Sequence, residues 1–262
     1  MDFKDRNSYK TEEKYNYYNA DANNDGTPDN SWTPIGSKSA EFTGSFDGEN
    51  HTISNLYINT TKYYSGLFGY SSNYTTFKNI KLSNVNINST NFYVGALVGI
   101  IDGGTIYNVH LDTANIKSSS SCVGGIAGIM NWGTASKLKV TNASITGSGD
   151  VGGIVGYPNY TKVNISNSYT TGYSKVAGIS GYKANRISNC YTTMKVGSYP
   201  IAIVSDNTEG VFWNSSTAGV SSSRYGTPKT TDELQQVATF AGWDTSIWNI
   251  EDGKYPTLKW EE

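Results

Sequence analysis

The segment Asp21-Ala22-Asn23-Asn24-Asp25-Gly26-Thr27-Pro28-Asp29 sets oxygen-bearing side chains at alternate positions around a glycine. Side-chain oxygens of Asp21, Asn23, Asp25 and Asp29, with the Thr27 carbonyl, make up the donor set of a Ca2+ loop, and Gly26 permits its sharp turn. The glutamate that closes an EF-hand at the twelfth position is absent, since Trp32 stands there. The segment looks instead like the short acidic loops of extracellular calcium-binding repeats. Ca2+ is the expected ion; an ion-free Asp/Asn/Gly surface turn is the competing reading.

Groupings for catalysis are harder to find. Asp102, Asp112, Asp150 and Asp206 fall at different places along the chain, and no pair recurs at a spacing that would set two carboxylates side by side. Glycoside chemistry needs such a pair. His51 and His110 are isolated in alternating segments. There is no His-Glu-x-x-His, nucleophile elbow or phosphate loop. The expectation is a chain that is not an enzyme, with a polysaccharide-active β-helix enzyme as an alternative. Binding is the more natural use of the many tyrosines. Tyr70, Tyr74, Tyr157, Tyr160, Tyr173 and Tyr182 lie near turns, and aromatics on a flat polar face stack on sugar rings or dock proteins. The bland reading is that Tyr simply favours strands.

What must position these residues is a repeated tetrapeptide. It reads Gly66-Leu67-Phe68-Gly69, Ala96-Leu97-Val98-Gly99, Gly125-Ile126-Ala127-Gly128, Gly153-Ile154-Val155-Gly156 and Gly178-Ile179-Ser180-Gly181, with a degenerate Ala202-Ile203-Val204-Ser205. The last residues, at 69, 99, 128, 156, 181 and 205, are separated by 30, 29, 28, 25 and 24 positions. A period in this range, with short alternating segments, marks a solenoid. Alternating runs such as Ile80–Ile87, Val109–Ile116 and Leu138–Ile145 read as strands, and no helix-length segment separates them. Parallel strands without crossover helices exclude a doubly wound sheet. They fit a parallel β-helix in which Leu67, Leu97, Ile126, Ile154, Ile179 and Ile203 stack inward. Asn79, Asn108, Asn167 and Asn189 recur before the second strand, with Lys137 in the third coil. They either form a hydrogen-bonded ladder or tolerate a left-handed corner. Tyr169 and Tyr191 are placed to stack on each other in neighbouring coils.

Composition agrees. Charged residues make up 16% and net charge is −2, so no strong field favours nucleic acid. No apolar run approaches the roughly 18 residues that span a membrane. Gly (28) and Tyr (20) are abundant, which suits turns and pleated surfaces. Cys122 and Cys190 lie two coils apart, a separation of roughly 10 Å at solenoid spacing. That exceeds the about 7 Å of a disulfide, so two free, mostly buried thiols are expected.

Beyond Trp213 the repeat dissolves. Ser-rich 215–223 reads as a loop, and Thr230-Thr231-Asp232-Glu233 resembles a capping box opening a short helix to about Ala238. Trp243, Trp248 and Trp260 follow. The helix and tryptophans are expected to cover the open coil end, as solenoid ends require.

Several elements together resemble the GLUG-motif repeats of bacterial surface proteins. They are Trp32-Thr33-Pro34-Ile35-Gly36, Phe42-Thr43-Gly44-Ser45-Phe46-Asp47-Gly48, Ile53-Ser54-Asn55-Leu56 and the five tetrapeptides. Asn167-Ser168-Tyr169-Thr170-Thr171-Gly172, Asn189-Cys190-Tyr191-Thr192-Thr193, Gly242-Trp243-Asp244 and Tyr255-Pro256-Thr257-Leu258-Lys259-Trp260 complete the match. That family includes adhesin-like proteins and non-catalytic parts of IgA-specific zinc metallopeptidases. The resemblance covers about residues 31–260 and implies a right-handed parallel β-helix at a bacterial cell surface, with no catalytic residues to carry over.

The full expectation is therefore an all-β chain: an N-terminal segment at 1–30 with a candidate Ca2+ loop, a β-helix of about six coils at 31–213, and a C-terminal loop, short helix and Trp-rich cap at 214–262. The opening residues Met1–Arg6 carry no apolar signal-peptide run, so the chain is either cytosolic or a piece of a longer secreted protein. The resemblance favours the second, with an extracellular or cell-surface location. The expected partners are host or matrix glycan or protein, met as a monomer. A stalk or spacer, including an accessory region of a surface metallopeptidase, is the alternative.

Overall fold

The computed structural model describes residues 31–159, 162–202 and 207–261. The Asp21–Asp29 loop, Tyr160 and Ile203 lie outside them. The described chain is an all-β parallel solenoid. Short strands β1 (Ser45–Asp47), β2 (Thr52–Ser54) and β3 (Tyr57–Thr60) start it. β4 (Phe68–Ser71) then leads to the long β5 (Thr75–Ser89), and β6 (Val98–Ile101) to β7 (Gly104–Ser118). The third coil has β8 (Val123–Gly124), β9 (Ala127–Met130) and β10 (Gly133–Thr146). The fourth has β11 (Val151–Gly152), β12 (Val155–Pro158) and β13 (Val163–Ser174). β14 (Arg186–Thr192), β15 (Lys195–Val196), β16 (Thr208–Asn214) and β17 (Thr227–Lys229) close the stack.

All these strands pair in parallel. One long sheet runs β1-β5-β7-β10-β13-β14-β16-β17, and a short sheet runs β4-β6-β9-β12. The short sheet holds the tetrapeptides. Leu67, Leu97, Ile126, Ile154 and Ile179 are all buried and stack coil on coil. Four coils are regular, where about six were expected. Beyond the fourth, the tetrapeptide side persists among the described residues as the bridges Val155–Ser180 and Ser180–Ala202. The long strand falls from 15 residues in β5 to 7 in β14. The shrinking repeat interval shortens the arms there, and the last is reduced to β15, paired with Tyr173 and Ser174 of β13.

Each long strand bends twice without leaving its sheet. Asn79, Asn108, Lys137, Asn167 and Asn189 occupy left-handed conformations at one corner, and Asn55, Asn84, Thr113 and Asn142 at a second. Each such residue adds one position to the alternation. The buried positions of β5 accordingly run 75, 77, 80, 82, 85, 87, 89. Both readings of the asparagines hold. Asn is the side chain that tolerates positive φ best after glycine, and Asn108 Nδ2 also donates to Asn79 Oδ1 (2.9 Å) while Asn79 Nδ2 donates to Asp47 Oδ1 (3.0 Å). Lys137 leaves the ladder; its Nζ donates to Tyr107 Oη at 2.7 Å.

The register sets one outward column in place: Lys81, His110, Lys139, Tyr169, Tyr191, Phe212. The C-terminal segment lies on its aromatic half. Tyr169 and Tyr191 stack at 5.0 Å with planes 3° apart. Over them pack Leu234, Phe240, Trp243, Trp248 and Leu258, a cluster distinct from the solenoid core. The Trp-rich cap thus straps the flank rather than plugging the coil end, where Ala218, Val220 and Tyr225 pack against the core instead. The expected helix is replaced by two 3-10 turns, Glu233–Gln235 and Val237–Phe240, broken by extended Gln236. Leu234 and Phe240 are both buried, and six residues apart on one α-helix they would face different ways. The capping box still forms: Glu233 N donates to Thr230 Oγ1 (3.2 Å) and Thr230 N to Glu233 Oε2 (2.7 Å).

Candidate aromatic binding surface

The outer face of the short sheet and the corner before it carry an unusual density of rings. In the sheet, Tyr70, Ile100, Ile129 and Tyr157 form one outward column, and Tyr182 extends it, stacked on Tyr157 at 4.7 Å and 14°. At the corner, Tyr64 and Tyr93 hold equivalent places in successive coils, both at positive φ. The turn tilts their rings over the sheet. They stack at 5.4 Å and 13°, and Tyr64 meets Tyr70 edge-on at 5.4 Å. Ile100 faces outward yet is only 7% exposed. Burial holds the Tyr70 and Tyr93 phenols above their ordinary range, so both remain neutral hydrogen-bonding hydroxyls.

One residue earlier, Tyr63 and Phe92 stack at 6.2 Å and 9°. They are the rim of the cluster, 51% and 38% exposed. Beside them opens a cleft of about 390 Å³ lined by residues that include Trp32, Pro34, Asn59, Lys62, Tyr63 and Tyr64. Trp32 is fixed there by Nε1 donating to the Leu67 carbonyl (3.1 Å). A larger, more open depression of about 740 Å³ lies on the C-terminal strap between Asp232 and Gly253. Backbone groups at its wall are already engaged, Val237 N with Asp252 Oδ1 and Gly253 N with Gln235 O, and it presents no ring. The smaller aromatic cleft is the better binding candidate.

The tyrosines singled out from sequence divide accordingly. Tyr70, Tyr157 and Tyr182 share this flank. Tyr74 stands at the opposite corner against Trp132, and Tyr173 lies on the long sheet beside Ser144 and Lys195. Tyr160 and the Ca2+-loop residues are outside the described chain. The exposed rim rings of this flank, Tyr63 and Phe92, escaped notice. Their signal was the adjacent pair Tyr63-Tyr64 recurring as Phe92-Tyr93 one coil later.

The two thiols are held quiet. Cys122 and Cys190 are free and buried as expected. Burial pushes their thiols up to about 11 and about 12, so neither supplies a thiolate near neutrality. Among the described residues, no three His, Cys, Asp or Glu side chains converge where they could hold a metal ion. No helix there is long and apolar enough to cross a membrane.

His110 is a pH-sensitive point of the fold. It sits between Lys81 and Lys139 in the outward column, its ring edge-on to Trp260 at 6.1 Å. Burial first, then Lys139 and Lys81 against an opposing pull from Asp112, lowers its pKa from 6.5 to about 4. The unfolded chain therefore takes up the proton before the folded one. Stability supplied by neutral His110 is present above pH 6.5 and lost as pH falls toward about 4. Denaturant titrations across that window should show this loss, and His110→Gln should flatten it.

No family model matches the chain, and no curated protein matches it either. The likeness to GLUG repeats rests on the residues quoted above. Among solved structures, a crystal structure of a "putative immunoglobulin A1 protease" from Bacteroides ovatus is similar, with a TM-score of 0.67 and 22% identity. The match covers 91% of this chain and 83% of that one. What the two chains share at that identity is the fold, a parallel β-solenoid.

Proposed function

We propose that this chain is a non-catalytic binding segment of an extracellular or cell-surface bacterial protein, and that it docks host or matrix glycan or protein on its aromatic flank. The observation that carries this reading is the Tyr63–Phe92 stack, exposed at the rim of a half-buried cluster and next to a preformed cleft. Rings held by neighbouring rings lose little freedom on binding, which is why such patches serve as anchors. The raised thiols and the neutral, lysine-flanked His110 add support, since they are poor nucleophiles or bases in this setting. A second reading, a spacer or accessory region beside a peptidase, draws on the likeness to the Bacteroides ovatus structure. In that reading the solenoid contributes length and stiffness, and the flank meets a neighbouring domain.

Binding to a glycan array and to immobilised matrix proteins separates the two. The double variant Tyr63→Ala/Phe92→Ala is expected to weaken the strongest interaction about 30-fold, the scale of a lost anchor pair. Its melting temperature should stay close to the parent's, because both rings sit at the rim. A parent chain that binds nothing in either panel would overturn the docking reading and leave the spacer.

A further inference from the structure

The corner on the other side of the short sheet carries a separate arrangement. Tyr74, Gly103, Trp132 and Lys162 hold equivalent places in four successive coils, each just before the partners Thr75, Gly104, Gly133 and Val163. Gly103 has no side chain, and the Trp132 indole fills the space. A Cβ on Gly103 would lie 2.0 Å from Cε2, 2.3 Å from Nε1 and 2.4 Å from Cζ2. Such similar distances to three contiguous atoms set Gly103 over the face of the indole, not at its edge. Trp132 Nε1 donates to Asn73 Oδ1 (3.1 Å), which fixes the ring within its plane. Tyr74, 80% exposed, stands edge-on to it at 5.2 Å and 73°.

The indole is therefore clamped on one face yet only half-buried. Beside it opens a depression of about 440 Å³ lined by Trp132, Gly133, Thr134, Lys162, Asn164 and Asn185. Asn185 Nδ2 donates to Asn164 Oδ1 (2.8 Å). The Asn164 amide hydrogens and the Asn185 carbonyl oxygen take no part in that bond. Among the described residues, one cation, Lys162, lines the depression, and no acid does.

We propose that Trp132 is a stacking platform for an acidic oligosaccharide. A pyranose has an apolar C–H face that fits a flat, immobile indole, and a rim of hydroxyls that needs donors and acceptors. Thr134, Asn164 and Asn185 offer both. Lys162 supplies a charge-assisted partner for a sugar carboxylate. A protein partner would call for a broader apolar lining than a single ring among polar side chains. This site shares no residue with the Tyr63–Phe92 flank and does not depend on that reading.

The test uses the full chain labelled with 5-fluorotryptophan. It has six tryptophans, and Trp132→Phe assigns the resonance of interest. Sialyllactose and trigalacturonate are the acidic probes, lactose and the methyl ester of trigalacturonate their neutral counterparts. The expected result is a saturable shift of the Trp132 resonance with at least one acidic probe. Binding should weaken by about fivefold or more for its neutral counterpart and for Lys162→Gln, as loss of a charge-assisted contact implies. Asn164→Ala/Asn185→Ala keeps the indole in place and should also weaken binding, so a misfolded Trp132→Phe would not hide the answer. Tyr63→Ala/Phe92→Ala should leave it unchanged. No shift at Trp132 with either acidic probe, a shift confined to other tryptophans, or equal binding of neutral and acidic probes would overturn the proposal.

Discussion

Gly128→Ala is expected to cost about 3 kcal/mol or more, the upper range of overpacking, and to lower the melting temperature by about 10 °C for a chain of this size. Gly128 ends the third tetrapeptide, where the short sheet runs against the corner of the preceding coil. A Cβ there would lie 2.5 Å from Val94 N, 2.6 Å from Gly99 O and 2.7 Å from Tyr93 C. All three are backbone atoms, and two belong to the corner that holds Tyr93 in its left-handed turn. No rotamer change relieves the contact; the coils must move apart. The same close approach recurs at Gly156, 2.5 Å from Val123 N, and at Gly181, 2.6 Å from Val151 N. Alanine at either should act alike. Chemical denaturation with circular dichroism checks this, and a loss under about 1 kcal/mol would mean that the corner yields more easily than its backbone contacts imply.

Tyr191→Ala is expected to cost about 3–5 kcal/mol, as loss of a large buried ring does, and to release the C-terminal strap. The Tyr191 side chain is 2% exposed and its hydroxyl donates to the Pro256 carbonyl at 2.7 Å. Its ring stacks on Tyr169 on one side and lies parallel to Tyr255 at 6.2 Å, with Phe240, Trp243 and Trp248 around it. Tyr191→Phe keeps the rings and gives up one hydrogen bond, about 1 kcal/mol. Limited proteolysis distinguishes the two outcomes. In Tyr191→Ala, cleavage should appear between residues 231 and 258 while the solenoid stays resistant; Tyr191→Phe should resemble the parent. If Tyr191→Ala is cut no faster, other contacts hold the strap.

The solenoid and its inward ladder were legible because Leu67, Leu97, Ile126, Ile154 and Ile179 recur with their glycines at nearly constant spacing. The corner at Asn79, Asn108 and Asn189 was legible for the same reason. The second corner was less so: Asn55, Asn84 and Asn142 share their period with Thr113, and plain alternation hides the phase slip that each corner adds. The strap's position could not be read, since Lys81, His110, Lys139, Tyr169, Tyr191 and Phe212 become one column only once strand register is known. The same limit hid the clamped indole, because Gly103 and Trp132 are neighbours only across coils. Nearness to turns alone grouped Tyr173 with Tyr70, and the solenoid puts them on different faces.

The strap also gives the rod a direction of failure under load. Hydrogen bonds between parallel coils lie along the rod axis, so tension along that axis peels coils one by one from whichever end is less tied. Near the C-terminus, Tyr169, Tyr191 and Phe212 belong to three successive coils and share one aromatic clasp, so those coils must give way together. Among the described residues, β1, β2 and β3 each pair only with β5 and can detach singly. A pulled rod would part between unclasped coils well before the clasped coils opened.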